Sequence, residues 1–195
     1  VAIRAATHAQ VIGRLPPDDG RHDATFAPDR VMEDGEVLAS DEFTLRAIHT
    51  PGHSSEHLCY LLEEERLLFT GDHVMQGSTV VVGPPDGNMS AYLASLEKLL
   101  AVTMSRLAPG HGHPIDTPHD EVRRLIKHRL AREEKVRAAL AALGRADVNA
   151  LVLRAYDDVS PKLHPVALRS LTGHLLKLEL EGRARREGEQ WVAAD

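Results

Sequence analysis

"LAPGHGHPIDTPHD", residues 107–120, holds three of the chain's twelve histidines. Its His111-Gly-His113 core, with Asp116 behind, fits a compact metal cluster, one corner of a dispersed site, or a polar loop. Two other stretches decide between these: "HTPGHSSEH" at residues 49–57 and "TGDH" at residues 70–73. In all three, a glycine stands directly before a ligand-type side chain: Gly52 before His53, Gly71 before Asp72, Gly110 before His111. Each follows a short apolar run, which places it in the loop after a strand. Zinc and similar ions need neutral imidazole nitrogens and carboxylate oxygens held by rigid neighbours. Strand ends supply the rigidity, and glycine permits the close backbone approach that aims the next side chain into a shared pocket. His53, Asp72 and His111 are therefore the candidate metal ligands. On this reading His111 is one corner of a dispersed site, and His113 and Asp116 are not ligands.

The flanking sequence predicts a sheet with helices. "EVLAS", "FTLRAIHT", "HLCYLLEE" and "RLLFTGD", within residues 36–72, are apolar runs separated by turn-forming or charged residues, as in consecutive strands. Leu45, Ala47 and His49 alternate with Thr44, Arg46 and Ile48, as on a strand with two differently solvated faces. Upstream, residues 1–7 have the composition of a helix end, "QVIG" of a short strand, and "RLPPDDGRHDATFAPDR" of a loop. Ser90 can cap a helix running to about Ala101, with Tyr92, Leu93, Leu96, Leu99 and Leu100 inward. From Thr117 or Asp120 a long helix carries a stripe of Val122, Leu125, Ile126 and Leu130, resumed by Val136, Leu140 and Leu143 and ended by Gly144. Asp147 can cap a second helix with Val148, Leu151, Val152 and Ala155 inward. Pro165 suits the first turn of a third, with Leu168, Leu171, Leu175 and Leu178 on one face and Gly182 at its end. "RARREGEQWVAA" reads as a hairpin turning near Gly188. Three short helices and a two-stranded wing make a winged-helix pattern, with a domain boundary near Glu134.

Composition excludes several classes. With 195 residues, 43% of them apolar, the chain can bury a real core. Lys plus Arg, 23, against Asp plus Glu, 29, gives a net charge of −6, so no global field draws nucleic acid or an anionic membrane. The single cysteine, Cys59, forbids an intramolecular disulfide and fits a reducing, cytoplasmic setting. No apolar run approaches the roughly 20 residues of a membrane span, and no membrane partner is expected.

The three glycine-led motifs resemble the later motifs of the metallo-β-lactamase-fold hydrolases. Within that superfamily, "TPGHS", the "PGHGHPI" loop, the His128-Arg129 pair in a long helix and the C-terminal winged helix are similar to the beta-lactamase-like protein 2 branch. The resemblance implies an αββα fold of the α/β class, incomplete at its N-terminus, over residues 1–134, and a small α+β winged-helix domain over residues 135–195. It implies a dinuclear zinc site, with His53 a first-site ligand, Asp72 the carboxylate bridging two metals, and His111 a second-site ligand. The implied chemistry is metal-assisted hydrolysis.

One departure qualifies that picture. The family's first motif, H-x-H-x-D-H, is absent, and His8 and His22 upstream lack its spacing. Its metal-bound aspartate therefore has no counterpart, and no catalytic residue is assignable. The expectation is a C-terminal portion of a longer enzyme, inactive or impaired alone and partly loaded with zinc or metal-free. Such a portion would expose apolar strand faces, which predicts poor solubility, dimerisation or strand exchange. The branch implies a single-stranded RNA substrate, and the nearby glyoxalase II branch implies a thioester. A reading from another class is a non-catalytic winged-helix protein that binds nucleic acid. The remaining candidates read more plainly. His57 and His73 support the ligands, His49, His113 and His119 are loop or surface residues, and His128 faces either the pocket mouth or solvent. Cys59 is an inert buried thiol. Arg169, Lys177, Arg183, Arg185 and Arg186 could meet phosphates, but Glu179, Glu181, Glu187 and Glu189 dilute that patch.

Overall fold

The computed structural model describes residues 2–17, 20 and 25–194. Helix α1 (Ala2–Thr7) precedes two short parallel strands, β1 (Ile12–Gly13) and β2 (Arg30–Val31). The second falls in the stretch expected to be loop, because a two-residue strand is too short for alternation to show. The rest of that loop, at residues 18–19 and 21–24 and including His22, lies outside the described residues.

The four expected strands form an antiparallel meander of β3 (Val37–Ala39), β4 (Thr44–His49), β5 (Leu58–Leu62) and β6 (Leu67–Gly71). Helix α2 (Met89–Leu100) then crosses over to β7 (Arg106–Pro109), which pairs with β6 in parallel, as such a pair requires. The sheet order is β3-β4-β5-β6-β7. Asn88, rather than Ser90, caps α2: from extended backbone its side-chain oxygen accepts the Ala91 N–H at 2.9 Å, and Ser90 lies inside the first turn. Tyr92, Leu93, Leu96 and Leu99 of α2 pack on Ile48, Cys59, Leu61, Leu68 and Leu107 of one sheet face. Each large side chain buried there stabilises the fold by about 1.5–3 kcal/mol.

On the opposite sheet face Ala47, Tyr60, Phe69 and Ala108 stand in register; Ala47 is fully buried, Tyr60 and Ala108 are half-buried, and Phe69 is 42% exposed. An aromatic ring exposed on a sheet face favours self-association. Sedimentation velocity of the chain is expected to show dimers or larger species that Phe69→Glu shifts toward monomer. A monodisperse monomer with Phe69 intact would contradict this.

Helix α3 (Pro118–Leu143) joins two cores. Val122 and Leu125 belong to the first, Val136, Ala139 and Leu140 to the second. The second core is completed by α4 (Val148–Ala155), α5 (His164–Leu180) and the strands β8 (Arg145–Ala146), β9 (Ala184–Glu187) and β10 (Gln190–Ala193). Residue 134 thus lies inside a continuous helix. Gly144, at φ 69°, ends α3, and the Asp147 carboxylate caps α4 by accepting the Ala150 N–H at 2.8 Å. The expected two-stranded wing has a third strand, in the order β8-β10-β9. Strand β8 leaves no trace in the sequence pattern because it has only two residues and directly follows the Gly144 stop. The α3 stripe also departs from expectation: Leu130 is 48% exposed, whereas Arg129 and Glu133 are buried. Among the described residues, no helix is long and apolar enough to cross a membrane.

Candidate metal centre

The loops after β4, β6 and β7 meet at one end of the sheet. Gly52, Gly71 and Gly110 allow the meeting in different ways. Gly52 has φ 143°, and a Cβ there would lie 2.4 Å from the Tyr92 Cα, so this loop rests directly on α2. A Cβ on Gly71, at φ 48°, would lie 2.9 Å from His57 Nε2, and one on Gly110 would lie 3.1 Å from Asp72 Oδ1. The Gly110 N–H also donates to the Gly71 carbonyl at 2.8 Å, locking the β6 and β7 loops together.

His53, Asp72 and His111 are brought together by this packing. His111 Nε2 lies 3.4 Å from Asp72 Oδ1, and His53 Nε2 lies 4.0 Å from Asp72 Oδ2. The two imidazoles thus address opposite oxygens of one carboxylate. Two donors on one tetrahedral zinc ion stand about 3.4 Å apart, close to both separations. Among the described residues, no three His, Cys, Asp or Glu side chains close into a cage around a single point. The arrangement is instead two nitrogen–oxygen pairs sharing Asp72.

Whether these groups suit a metal is decided by the His53 tautomer. His53 Nδ1 is 2.8 Å from the Val81 carbonyl oxygen, which can only accept, so Nδ1 carries the proton. In the neutral ring Nε2, on the Asp72 side, is then the nitrogen with the lone pair, the form that a metal takes. The donor chemistry and the tautomer therefore fit a divalent ion of zinc type.

The other histidines are placed around this group. His57 donates or accepts at Thr50 Oγ1, 2.8 Å away, and burial together with nearby His53 pushes its pKa down to about 4. His73 is fully buried between the His57 and Tyr92 rings, and neither of its ring nitrogens has a hydrogen-bond partner. Burial, with His57 next in weight, pushes its pKa down to about 3, so it is neutral. His49 Nε2 donates to the Ser55 carbonyl and His119 Nε2 to that of Val102, while His113 is exposed. His128 lines a cleft of about 510 Å³ with Gln76, Ser78, Thr79, Ile115 and Arg124. That cleft adjoins the centre, because the Gln76 N–H donates to the His111 carbonyl at 3.2 Å. Its polar lining was not legible from spacing, since Gln76, Ser78 and Thr79 sit in a segment without a motif. Cys59 is buried, and burial pushes its thiol up to about 12, as expected of an inert core residue.

Lys177, Arg183, Arg185 and Arg186 of the expected basic patch lie near carboxylates. Lys177, only 11% exposed, contacts Glu133 and Glu181 at 2.9 and 2.6 Å. Arg183 lies 3.5 Å from Glu181, Arg185 2.9 Å from Glu187, and Arg186 3.7 Å from Glu189.

Known proteins carry the same arrangement of parts. Residues 3–111 match the metallo-beta-lactamase superfamily, and residues 148–191 match the beta-lactamase associated winged helix domain. The thioesterase pkgB of Emericella nidulans is 39% identical over 67% of this chain and 35% of its own length. The beta-lactamase-like protein 2 homolog of Drosophila melanogaster is 33% identical over 75% of this chain and 51% of its own. The crystal structure of a metallo-beta-lactamase family protein from Thermus thermophilus superposes with a TM-score of 0.75 at 27% identity, covering 86% of this chain and 55% of that one. The chain spans about half the length, or less, of these curated relatives. Proteins of this superfamily usually bind metal ions, often zinc. The motifs, the sheet they hang from and these matches agree: the chain belongs to the metallo-beta-lactamase superfamily and carries its associated winged-helix domain.

Proposed function

We propose that this chain contributes part of a zinc-dependent hydrolytic centre acting on a thioester. The observation that carries the reading is the placement of His53 Nε2 and His111 Nε2 against opposite oxygens of Asp72. His53, Asp72 and His111 would hold the metal, with Asp72 shared between two ions. Bound zinc supplies a water activated near neutral pH and polarisation of the scissile carbonyl. The chain's own groups do the rest. The Val81 carbonyl keeps the proton on His53 Nδ1, and the glycine contacts fix the three loops. The cleft beside Gln76, Ser78, Thr79 and His128 offers hydrogen-bonding groups to a substrate arm next to the reacting bond.

A thioester is favoured over RNA by two features. Relatives such as the pkgB protein are named as thioesterases. The wing arginines and Lys177 are matched by carboxylates, which leaves little unbalanced positive charge to track a polyanion. The test is a substrate panel on the longest native product carrying this sequence, loaded with zinc. Acyl thioesters of a pantetheine-like thiol are expected to be cleaved, with activity lost to a chelator and regained with zinc. Cleavage of single-stranded RNA with the thioesters left intact would overturn the thioester reading in favour of a ribonuclease. Salt-sensitive duplex binding that survives chelation, with neither substrate cleaved, would overturn it in favour of a binding protein.

A further inference from the structure

Residues 80–83 form a strap between the metal centre and the winged-helix domain, and consecutive carbonyls of this strap face different ways. The Val80 carbonyl accepts a hydrogen bond from the buried Arg129 guanidinium of α3. The Val81 carbonyl accepts the His53 Nδ1–H at 2.8 Å. The Val82 carbonyl rests on Gly173 of α5, where a Cβ would lie only 2.5 Å away. Gly83 in turn abuts the Arg169 carbonyl of α5, 2.1 Å from where its own Cβ would be. Val80 and Val82 are buried, so the strap is pinned on both sides of the residue that orients His53.

Arg129 is held in place as well. Its guanidinium lies 5.2 Å from the centre of the Tyr92 ring, and the Tyr92 hydroxyl donates to the His73 carbonyl at 2.9 Å, one residue from Asp72. One buried cation thus touches the strap and the ring that braces the Asp72 loop. The guanidinium gives a donor to the Val80 carbonyl and its face to Tyr92, while its Nε has no partner among the described residues; such burial is costly, and a plain packing role would be served as well by an apolar side chain.

We propose that the winged-helix domain positions the His53 imidazole, through the 80–83 strap clamped between Arg129 and Gly173. Both are positioning residues: they reach the metal through the Val81 carbonyl. The proposal rests on the reading of His53 as a metal ligand. It gives the C-terminal domain a role in the hydrolytic centre that requires no nucleic acid.

The test compares Arg129→Met, Arg129→Lys, Gly173→Ala and His53→Ala with the unmodified full chain. Two readouts are used: zinc affinity by competition with a chromophoric chelator, and the His53 Nδ1–H signal in proton NMR of the metal-free protein. Loss of a group that orients a metal ligand typically weakens binding by about 10–100-fold. Arg129→Met and Gly173→Ala are expected to weaken zinc by that factor and to shift or broaden the Nδ1–H signal, with cooperative unfolding retained. Arg129→Lys, which keeps a donor for Val80, is expected to recover most of the affinity. Zinc affinity and Nδ1–H signal both unchanged in folded Arg129→Met and Gly173→Ala would overturn the proposal. Failure of the metal reading looks different, because His53→Ala would then bind zinc as well as the unmodified chain does. The Nδ1–H signal would still report on the strap in that case. Should Gly173→Ala fail to fold, Gly83→Ala, whose Cβ would push the strap off the Arg169 carbonyl of α5, takes its place, since Arg129 on α3 reports on the strap alone.

Discussion

Asp72→Ala, made in the longest native product carrying this sequence, is expected to abolish stoichiometric zinc binding and to lower kcat/KM by on the order of 10³-fold. The size follows from its position. Both imidazoles converge on this one carboxylate, at 3.4 and 4.0 Å, so its loss takes an oxygen from each pair. Stability should hardly change, because the side chain is 43% exposed and lies in a loop. Exposed substitutions away from caps and networks typically stay within about 0.5 kcal/mol. The metal-free variant should therefore melt with the metal-free parent while its zinc content, read by atomic absorption, falls to background. Retention of zinc by a folded Asp72→Ala protein would contradict the assignment.

The largest loss of stability is expected at a residue far from the metal. Glu133 of α3 is 8% exposed, and its carboxylate meets Lys177 at 2.9 Å, His174 Nδ1 at 3.5 Å and Arg183 at 3.9 Å, all from α5 or the turn after it. The His174 contact is long for a hydrogen bond, which leaves Lys177 as the closest partner. Glu133→Ala removes the more buried of the two carboxylates on that ammonium and leaves it with Glu181 alone, 2.6 Å away. Losing a charge-assisted hydrogen bond of this kind costs about 1.5–3 kcal/mol, or roughly 5 °C in Tm for a chain of this size. Differential scanning calorimetry checks it, and a shift below about 2 °C, corresponding to under ~1 kcal/mol, would contradict it.

The same carboxyl gives a pH signature. Burial alone would raise its pKa, but the His174 and Lys177 contacts outweigh burial and hold it below the ordinary 4.5. A depressed carboxyl stabilises the folded state above its unfolded pKa, and that stability is lost as pH falls through 4.5 toward the folded value. The parent should therefore lose stability on acidification below pH 4.5 more steeply than Glu133→Gln, which has no proton to take up there.

The parts that were legible in the sequence share a cause. The strands, the three helix faces and the Asp147 cap are local patterns, and the glycine before each of His53, Asp72 and His111 marks a local turn. Their convergence on Asp72 could be expected only because three such motifs recur in order. The burial of Arg129 and Glu133 stayed hidden, since charged residues on a helix read as a solvated face, and their partners are distant in sequence: Val80 and Tyr92 upstream for Arg129, Lys177 of α5 downstream for Glu133. The strap was silent for the opposite reason: its contribution to the centre comes from backbone carbonyls, and Val80, Val81 and Val82 read only as apolar. The third wing strand and the strand at residues 30–31 are too short for any periodicity to appear, whereas the one at residues 12–13 lies in the "QVIG" stretch read as a strand.

Whether Asp72 is shared between His53 and His111 in binding metal can be seen by anomalous diffraction at the zinc edge, from crystals of the zinc-loaded protein. The account predicts anomalous density within coordinating distance of Asp72, with His53 Nε2 and His111 Nε2 on opposite sides of that carboxylate. Density at His113, His119 or His128 instead, or zinc-loaded crystals with none at Asp72, would contradict it.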